Sequence, residues 1–103
     1  MRWLLIASRP AAPHTRASWQ DAQDLARGGD EVTLLLTDAA VADAVVEPSP
    51  VPALAADGVR VLIDDTAAAR RGVRSQAARV GRLTRDDEIA ALLLDVDLRT
   101  VWR

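Results

Sequence analysis

Polar side chains follow three apolar runs of the sequence, and these are the groups best placed to do chemistry. They are Ser8 and Arg9, then Thr37 and Asp38, then Asp64, Asp65 and Thr66. In an open parallel sheet, ligands bind beyond the carboxyl ends of the strands. Because carboxylates suit hard divalent cations, a metal-dependent enzyme using Asp38, Asp64 and Asp65 is one hypothesis. The preferred interpretation is that these aspartates cap helices, since a carboxylate accepts hydrogen bonds from a first helical turn.

Nucleophilic and acid–base chemistry has few candidate residues. His14 is the only histidine, so no pair of imidazoles can hold a metal ion. It could act as a general base, with an ordinary pKa of about 6.5, but we interpret it as a solvent-exposed loop residue. Ser8 lacks the Gly-x-Ser-x-Gly turn of an activated serine. No Gly-rich phosphate loop follows the first apolar run, which argues against dinucleotide binding.

The chain contains no cysteine and no lysine, and its thirteen cations are all arginine. Thiol chemistry, disulfides and lysine Schiff bases are therefore excluded for this chain. We predict no catalytic residue, no bound metal and no cofactor.

Six arginines lie between Thr66 and Arg85 with no acidic residue among them: Arg70, Arg71, Arg74, Arg79, Arg82 and Arg85. Such a segment beside a ligand-binding edge could hold a small anion or dock an acidic partner, with the first three as candidate contacts. The preferred interpretation is a solvated face paired with Asp86, Asp87 and Glu88 or with a neighbouring subunit. The net charge of −2 and the lack of aromatic residues in the segment argue against nucleic-acid binding.

Four runs rich in apolar residues, of which 3–7 is continuously apolar, predict strands with helices between them. The predicted strands are 3–7, 32–36, 59–63 and 98–102. The first predicted helix is 16–27, capped by Thr15, and the second is a short helix capped by Thr37 or Asp38. A brief helix from Pro52 to Asp57 precedes the third strand, and a helix opened by residues 64–66 and ending near Gly72 follows it. Residues 73–83 are predicted to be irregular, and the last helix is 85–94, after Thr84. Because the predicted strands are mostly apolar, the sheet should be covered on both faces. We predict a single-domain α/β three-layer sandwich over 1–103, with a central, mostly parallel sheet of four to five strands and flavodoxin-like or Rossmann-like layering.

Composition also bears on location and assembly. No apolar run approaches the ~20 residues of a membrane span, and the first run is too short for a signal peptide, so we expect a cytoplasmic protein without membrane contact. Aromatic residues are limited to Trp3, Trp19 and Trp102. A core built from Ala, Val and Leu buries little area per residue, so we expect a subunit interface to contribute stability. Trp102 is the candidate for an exposed partner contact.

Several segments together resemble a known family. They are the strand 3–8, the passage 29–37, the strand entry 57–61, the helix 67–73, and a final helix followed by Asp97 and a short strand. In this order they are similar to the DsrE/DsrF/DsrH family, which includes the TusB, TusC and TusD sulfur-relay subunits. The resemblance implies a persulfide cysteine directly after the third strand, at Asp64 or Asp65 here. Since aspartate cannot carry a persulfide, it implies a non-catalytic subunit that forms a homo-oligomer or binds DsrE-family homologues.

Overall fold

A computed structural model describes residues 1–9, 13–46 and 48–102, with the side chains of 13–17 outside that description. Five strands and six helices are found in this part of the chain. They are β1 (Arg2–Ala7), α1 (Pro13–Arg27), β2 (Glu31–Leu36), α2 (Ala40–Val45), α3 (Val51–Ala56), β3 (Arg60–Asp64), α4 (Asp65–Arg70), α5 (Arg74–Val80), β4 (Arg82–Thr84), α6 (Asp86–Leu94) and β5 (Arg99–Trp102).

The strands form one sheet in the order β4-β3-β2-β1-β5, and all four pairings are parallel. The chain moves outward from β1 to β4 and then returns through α6 to place β5 on the other side of β1. This confirms the predicted α/β three-layer sandwich. The strand order reverses at β1, so a crevice is expected between the carboxyl ends of β1 and β5.

Alternate side chains of the strands face two different helix layers. Leu5 and Leu34 point to one face, where the helices α1 to α5 pack and the larger core lies. Leu4, Ile6 and Leu35 point to the other face, where α6 supplies the covering residues. We call these the crowded face and the thin face. Since both faces are covered, the inner positions of the three central strands are apolar apart from Thr33, whereas the edge strands β4 and β5 carry polar residues.

One helix is too narrow to cover the thin face completely. Five strands span about 19 Å at ~4.8 Å per strand spacing, whereas a helix with its side chains is about 10–12 Å across. Ile89 and Leu92 of α6 pack on the sheet, yet the helix has no fully buried residue. A cavity of about 310 Å³ lies on its β3 side, lined by residues such as Leu62 and Leu92.

Several predicted boundaries were wrong. Residues 73–83, predicted as irregular, contain α5 and lead into β4, whose approach to β3 needs Gly81, since an added Cβ would lie 2.9 Å from Ile63 Cδ1. The first helix begins at Pro13, because proline suits a first helical turn, so Thr15 lies inside it and does not cap it. Thr84 ends β4, and its hydroxyl donates to the Arg82 carbonyl at 3.2 Å.

Other boundaries agree with the sequence. The helix α3 carries a proline in its first turn, and α4 stops before Gly72, whose φ of +67° favours glycine. Among the described residues, no helix combines the length and the apolar character that a membrane crossing requires.

Candidate functional site

Parallel pairing brings polar residues of distant sequence position to one edge of the sheet. Asp64 is paired with Thr84, and Ile6 is paired with Trp102. Thr37 directly follows β2, and its backbone N–H donates to the Ala7 carbonyl at 3.0 Å. We call this edge, defined by Thr37, Asp38, Asp64 and Trp102, the carboxyl rim.

Asp64 connects two elements of the carboxyl rim through hydrogen bonds to its carboxylate. It is the last residue of β3 and the N-cap of α4, where its carboxylate accepts from the Ala67 backbone N–H at 3.3 Å. Its other oxygen accepts from the Thr37 hydroxyl at 2.6 Å. The carboxylate therefore satisfies a donor of the first turn of α4 and joins β2 to β3. The preferred capping interpretation is confirmed for Asp64.

Asp65 and Arg74 form an ion pair on the surface beside the rim. The Arg74 guanidinium donates to both carboxylate oxygens of Asp65, with Nη2 at 3.3 Å from Oδ2. This hydrogen bonding holds the pKa of the Asp65 carboxyl below its ordinary value and raises the pKa of Arg74. Asp65 is the first residue of α4 and lies one position past the strand tip, so of the two candidate positions only Asp64 ends β3.

Asp38 does not cap α2, contrary to the sequence prediction. The N-cap of α2 is Ala39, and that helix has no side-chain cap. Asp38 has a φ of +52°, the left-handed conformation that non-glycine residues seldom adopt. Its side chain is exposed, and within the described ranges its carboxylate has no hydrogen bond or ion pair. The structure therefore fixes this carboxylate at the rim without a structural partner.

A polar cavity of about 370 Å³ lies where the rim meets α4. Its lining is Thr37, Asp38, Asp64, Thr66, Ala67, Arg70 and Arg71. Both arginines are exposed, and neither guanidinium has an ion pair or hydrogen bond with any described residue. The cavity thus contains two uncommitted cations and one uncommitted carboxylate.

An apolar cavity of about 340 Å³ lies on the thin face of the same rim. Its lining is Ile6, Leu35, Thr37, Asp38, Asp64, Asp86, Ile89, Ala90, Leu93 and Trp102. It spans the carboxyl ends of β1, β2 and β5, where the strand order reverses. Trp102 is 63 % exposed, which confirms the expected exposure of this indole.

Comparison with known proteins gives no relative from which to transfer a function. No protein-family profile, curated protein or solved structure matches this chain. The site has to be interpreted from its own residues.

The arginine segment divides into paired and unpaired side chains. Arg82 pairs with Glu88, and Arg85 lies 3.7 Å from Asp87, as the solvated-face interpretation predicted. Arg70 and Arg71 have no ion pair or hydrogen bond with any described residue. The segment is therefore two surfaces, of which only the α4 part borders a cavity.

The carboxylates do not form a metal centre. Within residues 1–9, 13–46 and 48–102 there is no group of three or more His, Asp or Glu side chains that could hold an ion. Asp64 is engaged by Thr37 and Ala67, while Asp65 is engaged by Arg74. Geometry thus gives the metal-dependent hypothesis no support.

Four candidates remain: Ser8, Arg9, His14 and Thr66. Ser8 and Arg9 follow β1 at the same edge, each makes an interaction of its own, and neither lines either cavity. His14, predicted on a loop, lies in α1, and its side chain is outside the described residues. Thr66 lines the polar cavity and donates its hydroxyl to Asp86 at 3.1 Å, which connects α4 to the start of α6.

Sequence reasoning did not find the apolar lining contributed by α6. Ile89, Ala90 and Leu93 line the cavity, together with Leu35 of the sheet. The signal was present in the three- and four-residue spacing of these positions, which places them on one side of a helix. What the spacing could not supply was the strand order that sets this side against β1 and β5.

Proposed function

We propose that this chain is a non-catalytic, cytoplasmic subunit of the DsrE kind that acts by binding a second copy of itself or a cysteine-bearing homologue. The observation that carries the proposal is the group of exposed apolar side chains at the C-terminal end of α6 and just after it. Leu94 is 81 % exposed, Val96 is 94 % exposed, and Leu93 is also exposed. Apolar side chains grouped in this way mark interaction surfaces more often than isolated ones do.

The state of Asp64 supports a binding role. The resemblance places a persulfide-carrying thiolate at this position, on the tip of an internal strand. Here the position holds a carboxylate that caps α4 and bonds to Thr37. This residue is therefore committed to structure, and sulfur transfer in an assembly would require the thiol of another subunit.

The oligomeric state of purified protein tests the proposal. Size-exclusion chromatography with light scattering should give a mass above that of the 11.1 kDa monomer. Val96→Glu and Leu94→Glu should each shift the mass toward the monomer, because burying an unpaired carboxylate at an interface is costly. Val46→Glu is the matched control, since Val46 is 61 % exposed at the end of α2, away from α6.

Two results would count against self-association. One is a monomeric wild type at every concentration tested, and the other is equal dissociation by Val46→Glu and Val96→Glu. If the wild type is monomeric by itself, its binding to a cysteine-bearing homologue is the remaining test of the proposal. Co-expression with a cysteine-bearing DsrE-family protein should then yield a stoichiometric complex that Val96→Glu disrupts, and absence of that complex would overturn the proposal.

A further inference from the structure

The apolar and polar cavities adjoin across the carboxyl rim. Both are lined by Thr37, Asp38 and Asp64, so the Thr37–Asp64 hydrogen bond lies at their common boundary. Each cavity has the volume of a small-molecule site, about 340 and 370 Å³. Together they lie at the point in the sheet where such sites form in open parallel folds. A single ligand crossing the rim would contact both.

The apolar cavity suits a flat ring. Its walls are aliphatic side chains such as Ile6 and Ile89, and the exposed indole of Trp102 borders it. An aromatic face of this kind stacks on planar groups regardless of their exact substitution. Asp86 supplies an acceptor at the edge of this cavity, where it can take a hydrogen bond from an exocyclic amino group.

The polar cavity suits an anionic group. Arg70 and Arg71 border it without partners among the described residues, whereas Arg74 and Arg82 nearby are each paired with an acid. Guanidinium groups bind phosphate through two parallel hydrogen bonds, so two unpaired arginines form a natural phosphate contact.

Asp38 indicates which chemical groups of a ligand lie between its ring and its anionic group. Its carboxylate can only accept hydrogen bonds, and it would repel an anion that entered the polar cavity without donors beside it. A pair of hydroxyl groups would satisfy it. The positive φ of Asp38 keeps the carboxylate at the boundary shared by both cavities, and strain of this kind is often retained at binding sites.

We propose that the joined cavities bind a nucleoside monophosphate, with the base beside Trp102, the ribose hydroxyls on Asp38, and the phosphate on Arg70 and Arg71. Such a ligand needs no Gly-rich loop, because arginine side chains replace the backbone N–H groups that hold a dinucleotide pyrophosphate. The oligomer proposed above is tested at Leu94 and Val96, neither of which lines either cavity, whereas Leu93 borders both that surface and the apolar cavity.

Isothermal titration calorimetry with four related compounds tests the three parts of the site. AMP should bind saturably. Adenosine lacks the phosphate, ribose 5-phosphate lacks the base, and 2′,3′-dideoxy-AMP lacks the hydroxyl donors. Each should bind about tenfold more weakly than AMP, since each loses one set of contacts. Ribose 5-phosphate binding as tightly as AMP would remove the ring subsite and overturn the proposal.

Three variants assign the parts to residues. The double variant Arg70→Gln/Arg71→Gln should weaken AMP about tenfold and leave adenosine unchanged. Trp102→Ala should weaken AMP and adenosine but not ribose 5-phosphate. Asp38→Gly removes the carboxylate and keeps a residue that tolerates the positive φ, and it should weaken AMP while leaving 2′,3′-dideoxy-AMP unchanged.

The controls separate this proposal from folding defects and from the oligomer. Arg79→Gln removes an exposed arginine that lines neither cavity, and it should leave AMP affinity unchanged. Val96→Glu should also leave AMP affinity unchanged even where it alters the oligomer. No saturable AMP binding, or AMP affinity unaffected by both Trp102→Ala and the double arginine variant, would overturn the proposal. Saturable binding of phenylalanine in place of AMP would assign the site to an aromatic zwitterion and overturn it as well.

Discussion

The two faces of the sheet are built from the same strands yet differ in how completely they are covered. On the crowded face, five helices place buried residues such as Ala22, Leu54 and Ala77 against β1, β2 and β3. On the thin face, the covering side chains are Ile89 and Leu92 of α6 together with Leu98, all of them only partly buried, and cavities lie on both sides of α6. The comparison teaches that the larger buried core lies on the crowded face, whereas the apolar cavity lies on the thin face and the polar cavity lies at the rim beside α4.

The largest expected difference between the faces is in the free energy of the opening that lets backbone amides exchange hydrogen with solvent. Amides of β2 lie in the middle of the sheet and should exchange only through global unfolding, which costs ~5–15 kcal/mol in ordinary domains. Amides of α6 should exchange through a smaller opening, because that helix has no buried residue. Native-state hydrogen exchange measures both. Equal protection of α6 and β2 would break the comparison.

Two adjacent leucines offer a matched pair for the second prediction. Leu34 faces the crowded side and Leu35 the thin side, with exposed fractions of 0 % and 2 %. Leucine-to-alanine changes in cores cost about 2–5 kcal/mol, depending on how far the surroundings collapse. Leu34→Ala should fall in the upper part of that range and Leu35→Ala in the lower part, because α6 can shift toward the sheet. Urea denaturation measures both, and a larger loss for Leu35→Ala would contradict the assignment.

The third prediction concerns the rim where the faces meet. Asp64→Ala should reduce the free energy of unfolding by about 0.5–2 kcal/mol, the usual cost of losing an N-cap. The variant also removes the acceptor of the Thr37 hydroxyl. Asp64→Asn keeps an acceptor and is the control, with an expected loss of less than half as much. Thermal unfolding distinguishes the two, and equal losses would show that charge rather than capping matters at this position.

The smallest effect is expected on the surface of the crowded face. Hydrogen bonding from Arg74 keeps the pKa of Asp65 low, so this pair stabilises the fold above the unfolded-state pKa of Asp65 and is lost as pH falls through the folded-state value. Arg74→Met should raise the pKa of Asp65 toward its ordinary value, as followed by the carboxyl carbon shift in NMR titrations. Arg79→Met, also on α5, should leave it unchanged. An unchanged pKa of Asp65 in Arg74→Met would show that the ion pair with Arg74 does not lower it.

The sheet was predictable because its strands carry strong local signals. Runs such as Leu4 to Ala7 and Val61 to Ile63 are apolar without interruption, and glycines such as Gly29, at a φ of +97°, punctuate the helices. The segment containing α5 and β4 has no such signal. Ala77 is its one fully buried residue within α5, and β4 has three residues, so neither periodicity had enough positions to be visible.

The site was predictable in position but not in its internal connections. Either Thr37 or Asp38 was expected to cap the following helix, because each residue type commonly does so. The structure instead directs the Thr37 hydroxyl to Asp64, 27 positions later in the chain, and leaves Asp38 without a partner among the described residues. Such a bond depends on the register of β2 against β3, which no local pattern encodes.

The position of β1 also affects how the protein is made. This strand is translated before the other four strands, yet one of its two neighbours is β5, which is translated after them. Until β5 emerges, the backbone N–H and C=O groups on that edge of β1, at Leu4, Leu5 and Ile6, have no strand to pair with. An unpaired edge with apolar side chains promotes association with other nascent chains. Because the sheet contains no hairpin, each pairing must also close a long loop, which slows folding relative to a helical bundle of this length. A chaperone that shields the first strand during synthesis would therefore raise the yield of native protein.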